Sequence, residues 1–282
     1  MLKPSVIATS IIRVNHLKKE AETLDLLAVE EPLEIRLGFG TENQREEKRI
    51  SVTMRTPVND FELALGFLFS ENIINNFHEV RHIRYCHSVE KEEEKGNVVK
   101  VSLHPNCSPN LQFSTRNFYT TSSCGVCGKT SIDAIKTKNC IPLTVRKNIF
   151  TLEQLLSFGT ILRENQSIFH RTGGLHGAGL FNNLGELLFL REDVGRHNAV
   201  DKVIGATLYK EKTPLKNCLL FLSGRVSFEL VQKAITTQIP VIVAFGAPSS
   251  LAVRLAQEFN ITLIGFVKND SFNIYSGAER IA

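Results

Sequence analysis

The sequence predicts an α/β fold: a sheet of parallel strands covered by helices in its C-terminal part, preceded by a smaller strand-rich part. Two observations carry that expectation. After about residue 198, strand-length apolar runs alternate with amphipathic stretches of 10 to 12 residues, and strands buried on both faces show unbroken apolar runs of this kind. In the first ~115 residues, apolar and polar side chains instead alternate with period two, the pattern of half-buried antiparallel strands. Residues 1–115 are therefore expected to form a strand-rich N-terminal subdomain, and residues 116–282 an α/β domain. With 282 residues and 43% hydrophobic content, the chain is long and apolar enough to bury a core of ordinary size.

The elements follow in order. Leu33 to Leu37 and Ile50 to Met54 alternate cleanly and form one strand pair, joined by the polar link Thr41 to Arg49. From Asp60 the apolar spacing becomes helical through Phe61, Leu63, Ala64, Leu65, Phe67 and Leu68, with Asn59 or Asp60 placed as N-cap. These apolar residues are read as core. Val80 to Cys86 and Val98 to Leu103 give a second strand pair, and the charged run Glu90 to Gly96 between them is a solvated tip. Pro105 to Thr121 has no periodicity and is a loop, and a helix is expected around Ser131 to Ile135. Thr151 and Gln154 form a capping-box pattern that opens a helix running to about Ser167. A glycine-rich turn, Gly173 to Gly177, leads into a hairpin folded about Asn182 to Gly185. The C-terminal part then alternates: helix 198–209, strand 218–222, helix 227–237, strand 240–245, helix 249–258 and strand 261–267.

Several function classes fall away on composition. A formal charge of +4 is mild for this length, so a dedicated nucleic-acid binder is not expected, whereas a small acidic ligand fits. The longest apolar runs are strand-sized and far short of the ~20 residues of a membrane helix. The opening Met1-Leu2-Lys3-Pro4 has none of the features of a secretory signal, and a cytoplasmic protein is expected. Six cysteines occur: Cys86, Cys107, Cys124, Cys127, Cys140 and Cys218. A chain of this size does not need disulfide staples.

Only Cys124-Gly125-Val126-Cys127 has motif spacing. In a reducing compartment a C-x-x-C is redox, metal-binding or sulfur-handling chemistry before it is a structural bridge. A thiolate beside a helix N-terminus is favoured by the dipole, and Gly125 and Gly128 leave both sulfurs uncrowded. Two close thiols on such a loop suit group transfer, since one sulfur can carry a persulfide while the other assists. Zinc needs about four ligands, and no second C-x-x-C or C-x-x-H is present. A thioredoxin-like motif would sit after an early strand, not ~120 residues into the chain. Zinc-dependent deamination uses H-x-E with P-C-x-x-C; none of the eight His is followed by Glu two residues later, and Cys124 follows Ser123.

Two further features stand out. Arg191 to Asn198 packs two acids, two Arg and a His into a strand-to-helix corner, which fits anion binding or site-building, or else solvated loop charges with an Asp or Asn cap. His176 sits among glycines, though a lone His is more often structural. The carboxyl ends of the expected parallel strands, where open α/β sheets bind ligands, are Ser223-Gly224-Arg225, Gly246 to Ser250 and Phe266 to Ser271. Arg225 and Lys268 are suited to phosphate. No G-x-G-x-x-G or P-loop motif occurs.

Taken together, Thr121 to Gly128, Arg171 to His176, Arg191 to Lys202, Ser223 to Ser227 and Ala247 to Ala252 closely resemble the FdhD family of formate dehydrogenase accessory sulfurtransferases, in family order from about residue 30 to the end. The resemblance implies a sulfur carrier that takes persulfide sulfur from a cysteine desulfurase. It then passes that sulfur to the bis(molybdopterin guanine dinucleotide) molybdenum cofactor, held as a bound substrate, before insertion into formate dehydrogenase. It implies Cys124 as the persulfide cysteine with Cys127 as its partner, and Phe266, Val267, Lys268, Asn269, Asp270 and Ser271 as the cofactor-contacting stretch. It also implies a three-layer fold like that of cytidine deaminases without their zinc site, and a homodimer. The other classes in play are a cofactor-binding chaperone that moves no sulfur and a structural zinc protein.

Overall fold

The computed structural model describes residues 3–86, 92–111, 141–211 and 215–282. Cys124, Cys127, Cys140, the helix expected near Ser131 and the start of the charged tip at Glu90-Lys91 lie outside the described residues.

The chain opens with a hairpin that the sequence pattern does not announce. Strands β1 (Val6–Asn15) and β2 (Lys18–Ala28) pair antiparallel as a separate two-stranded sheet. His16 and Leu17 both take positive φ at the turn, 46° and 62°, as a two-residue hairpin turn requires. Most of this hairpin is exposed on both faces, and β2 rests on helix α3 (Ser167–Thr172). The first foreseen pair follows as β3 (Glu31–Gly40) and β4 (Arg45–Arg55). The second is β5 (Val80–Tyr85) and β6 (Val98–Leu103). They join into one sheet of order β4-β3-β6-β5, because β3 and β6 pair in parallel.

Between them lies α1 (Asp60–Ser70). Its N-cap is Asn59, but Asn59 adopts a left-handed conformation and its side chain caps nothing. The Asp60 carboxylate turns instead to the buried Arg55, accepting bonds of 2.9 and 2.8 Å.

In the C-terminal part, α2 (Leu152–Asn165) opens on the foreseen capping box: Gln154 N donates to Thr151 Oγ1 at 3.2 Å, and Thr151 N donates to Gln154 Oε1 at 2.9 Å. The hairpin is β7 (His176–Asn182) and β8 (Leu187–Asp193). Then come α4 (Arg196–Tyr209), β9 (Cys218–Leu222), α5 (Phe228–Thr237), β10 (Val241–Ala244), α6 (Ser250–Glu258), β11 (Thr262–Gly265) and a final strand β12 (Asn273–Ser276).

The sheet order is β12-β11-β10-β9-β7-β8. The parallel arrangement expected from the apolar runs holds for β9, β10 and β11, while both margins are antiparallel. The tight turn at Asn182–Gly185 folds β8 back on β7, and β12 returns on β11, so neither margin has the long crossover a parallel neighbour needs.

Burial on both faces explains the unbroken apolar strands. Leu220, Leu222, Ile242, Ala244 and Leu263 share a core with helices α1, α4, α5 and α6. Their neighbours Leu219, Phe221, Val241, Val243 and Ile264 pack with Leu155, Phe158 and Leu162 of α2 on the other side. The first of these cores is continuous from Leu33 and Ile35 in β3 to Leu263 in β11, so the four-stranded and six-stranded sheets share it. Among the described residues no helix is long and apolar enough to cross a membrane.

Candidate functional site

The topology brings five segments to one edge of the large sheet. Strands β9, β10 and β11 run parallel, so their carboxyl ends, Ser223–Arg225, Gly246–Ser249 and Phe266–Ser271, lie side by side. Strand β7 runs against β9, which places its first residue, His176, at the same edge. Strand β8 runs against β7 in turn, so Asp193 and the start of α4 arrive there too.

The strand-end loops are knitted by their backbones. Ser223 N donates to Gly177 O at 2.9 Å, Gly246 N to Gly224 O at 3.2 Å, Val226 N to Ala247 O at 3.1 Å and Phe266 N to Gly246 O at 3.3 Å. Ser223 Oγ accepts from Gly177 N at 2.8 Å. Glycine at 246 is obligatory: a Cβ there would lie 2.8 Å from both Arg225 N and Gly224 O.

The six residues Phe266–Ser271 therefore do gather at this edge. Val267 is buried, while Lys268, Asn269, Asp270 and Ser271 are exposed in a tight turn closed by Lys268 N donating to Ser271 O at 2.8 Å. Phe266 has φ 56° and is 44% exposed. An aromatic residue held in the left-handed region costs on the order of 1–3 kcal/mol, and here that cost presents an apolar ring to solvent.

Along the charged corner Arg191 to Lys202, most side chains bond to the protein itself. Arg191 makes a bidentate pair with Glu62 at 2.5 and 2.7 Å. Glu192 accepts from the Ile168 and Phe169 amides at 2.9 and 2.8 Å. The wholly buried Asp193 binds Lys202 Nζ at 2.7 Å, Thr56 N at 3.1 Å and Gly195 N at 2.8 Å. Asn198 donates to Met54 O at 2.7 Å. Asp201 binds Lys233 at 2.7 Å and Ser70 at 2.8 Å; burial nonetheless holds its carboxyl above the usual carboxylate range. Most of this charge is internal mortar between α4 and the strand-rich part.

Two of its residues remain for the site. His197 Nε2 lies 3.0 Å from Ser227 Oγ and 3.9 Å from Glu229 Oε2. Burial pushes the Glu229 carboxyl up, but hydrogen bonds with His197 and Ser227 outweigh it and hold it below its ordinary value. Among the described residues, Arg196 Nε is enclosed and has no hydrogen-bond partner. His176, half-buried, is held below its ordinary value by burial first, then by Arg196, with His197 and Arg225 adding and Asp193 opposing. Sequence reasoning missed Glu229, and it had Ser227 only as the last residue of the motif Ser223 to Ser227. They are the cap and second residue of α5, directly after a parallel strand end, and the strand-end rule points to such positions.

Cys124 and Cys127, the proposed chemical pair, lie outside the described residues. Of the other cysteines, Cys218 is buried, while Cys86 and Cys107 are half-buried. Among the described residues no group of three His, Cys, Asp or Glu is placed to hold a metal ion.

Comparison with known proteins agrees along the whole chain. A protein named sulfur carrier protein FdhD from Mycolicibacterium paratuberculosis is 47% identical over 277 residues, 97% of this chain and 98% of that one. A protein of the same name from Saccharolobus solfataricus is 42% identical over 257 residues, 91% of each chain. The crystal structure of a protein described as a formate dehydrogenase accessory protein from Desulfotalea psychrophila superposes with a TM-score of 0.73 at 25% identity, covering 99% of this chain and 100% of that one. The model of the FdhD/NarQ family matches residues 28–282, and the chain belongs to that family.

Proposed function

We propose that this protein is a sulfur carrier in the maturation of formate dehydrogenase. The general role is supported by the names of its relatives and of its structural neighbour. In the reading adopted here, the Cys124 thiolate attacks the terminal sulfur of a cysteine desulfurase persulfide. The donor's S–S bond breaks, the donor thiolate leaves, and Cys124 carries the persulfide. Attack by the Cys127 thiolate on the Cys124 sulfur then releases the terminal sulfur as hydrosulfide and leaves a Cys124–Cys127 disulfide, which a cellular thiol reduces. The acceptor is the bis(molybdopterin guanine dinucleotide) molybdenum cofactor, bound as substrate.

The observation that most supports a place for that substrate is Phe266: exposed, in a costly backbone conformation, at the head of Phe266–Ser271 on the carboxyl edge of the sheet. An aromatic face of this kind stacks a nucleobase for about 1–3 kcal/mol. The fold is read as a three-layer unit of the cytidine-deaminase type put to non-hydrolytic use, acting in the cytoplasm as a homodimer. Replacement Cys124→Ala is expected to abolish formate dehydrogenase maturation in cells that depend on this protein while leaving the fold intact. A variant that fully supports maturation would sink the assignment.

A further inference from the structure

The sulfur-carrier reading gives no task to the outer face of the four-stranded sheet. The inner face packs Leu33, Ile35, Leu37, Val99 and Val101 into the core with α1. On the outer face the register sets Arg49 of β4 opposite Arg36 of β3, Arg36 opposite Lys100 of β6, and Lys100 opposite Arg84 of β5. Four cations therefore stand in one row, one from each strand, across roughly 14 Å at the usual strand spacing.

Like charges set opposite one another weaken a sheet. Two carboxylates answer part of the row: Glu34 binds Arg36 and pairs with Arg49 at 2.7 Å, while Glu47 binds Lys100 and pairs with Arg36 at 3.2 Å. Arg84 is left over. Among the described residues neither it nor its neighbour Arg81 forms an ion pair or side-chain hydrogen bond, and both are exposed. The excess reaches His82, whose imidazole is held below its ordinary value by burial first and then by Arg84, Arg81, Lys100 and Arg45.

The row ends at an open edge. Among the described residues β5 is the outermost strand and pairs only with β6. Cys86 N donates to Val98 O at 2.9 Å, so by the alternation of an antiparallel ladder the main-chain groups of Arg84 and His82 also turn to β6. Those of Ile83 and Tyr85 turn outward, where the described residues offer them no partner. This edge thus offers main-chain donors and acceptors, with cations on one face and the half-buried side chains of Ile83 and Tyr85 on the other.

We propose that β5 and the cationic row dock an extended acidic segment of a partner protein, which lengthens the sheet by one strand and alternates carboxylate and apolar side chains. Strand addition supplies the main-chain bonds, and the alternation sets carboxylates beside Arg84 and apolar groups beside Ile83 and Tyr85. Two rival occupants fit less well. A second copy adding through its own β5 would set Arg81 and Arg84 against the same charges, the device by which charged edges avoid pairing with themselves. Single-stranded nucleic acid needs aromatic faces on which bases stack, and Phe39 and Tyr85, the Phe and Tyr of these four strands, both pack toward the core.

The test is fluorescence anisotropy of a labelled peptide alternating Glu and Val, long enough to cover the six residues of β5. It is titrated at low salt with full-length wild type, Arg84→Glu and the control Arg254→Glu, which makes the same charge change on α6. The expected result is saturable binding to wild type and Arg254→Glu, weakened at least ~5-fold by Arg84→Glu, the size expected when one exposed charge pair is lost and turned repulsive. The same peptide N-methylated on every amide keeps its charges but cannot add as a strand, and should not bind. No saturable binding to wild type, equal affinity in Arg84→Glu, or full binding of the N-methylated peptide overturns the proposal. Labelled oligouridylate is titrated in parallel: tighter binding than the peptide, with the same dependence on Arg84, assigns the face to nucleic acid and overturns the proposal too.

Discussion

Gly66 on α1 and Gly205 on α4 meet where the two helices cross, so closely that neither position admits a side chain. A Cβ on Gly66 would lie 1.8 Å from Asp201 O, and a Cβ on Gly205 would lie 1.9 Å from Glu62 O. The crossing fixes the strand-rich part against the helix whose first turn delivers Arg196 and His197 to the site. Gly205→Ala must push two backbones apart, which costs on the order of 1–3 kcal/mol or more. Urea unfolding should show a lowered midpoint with little change in slope; an unchanged midpoint would mean the contact yields freely.

The buried pair Asp193–Lys202 makes a second stability prediction. Its side chains are 0% and 1% exposed at 2.7 Å, and Lys202 Nζ also donates to Thr56 O at 2.8 Å. Lys202→Met leaves a buried carboxylate without its cation and should cost about 3–5 kcal/mol. Removing both charges in Asp193→Leu/Lys202→Met should cost less than the sum of the two single changes. Strict additivity in the double-mutant cycle would show that the pair does not act as one unit.

How far these contacts were visible in the sequence depends on how local their signals are. The strands β9 to β11 were legible because burial on both faces writes an unbroken apolar run, and the capping box of α2 because both partners lie within four residues. The hairpin β1–β2 was not, since a ribbon exposed on both faces imposes no alternation. The charges of Arg191 to Lys202 resemble a solvated or ligand-binding loop in sequence because their partners Thr56, Glu62 and Ser70 are more than a hundred residues upstream. Phe266 was legible as part of a strand-end loop, but nothing in the sequence marks an aromatic residue as left-handed.

A pH dependence follows from His176. Its folded value lies below the ordinary 6.5, through burial and the positive charge of Arg196. Between the two values the unfolded chain binds the extra proton and the folded chain does not, so stability falls as pH drops below about 6.5. The loss is complete once pH passes below the folded value. His176→Gln should flatten the unfolding midpoint against pH between 7 and 5 relative to wild type. An equal slope in the two proteins would remove His176 from the account.

Phe266 separates stability from function. Because φ 56° suits glycine, Phe266→Gly should keep or raise the unfolding midpoint, by up to about 1 kcal/mol, while Phe266→Ala retains the strain. Both should impair sulfur delivery to the cofactor, since each removes the exposed ring. Full delivery by Phe266→Gly would show that the ring does not meet the substrate.

The central claim is that Cys124 carries the sulfur, and intact-protein mass spectrometry with peptide mapping, after incubation with a cysteine desulfurase and cysteine, tests it most directly. Wild type and Cys127→Ala should each gain one sulfur atom mapped to Cys124, and Cys124→Ala should gain none. Sulfur mapped to Cys127 alone, or a wild-type protein that stays unmodified, would contradict the account.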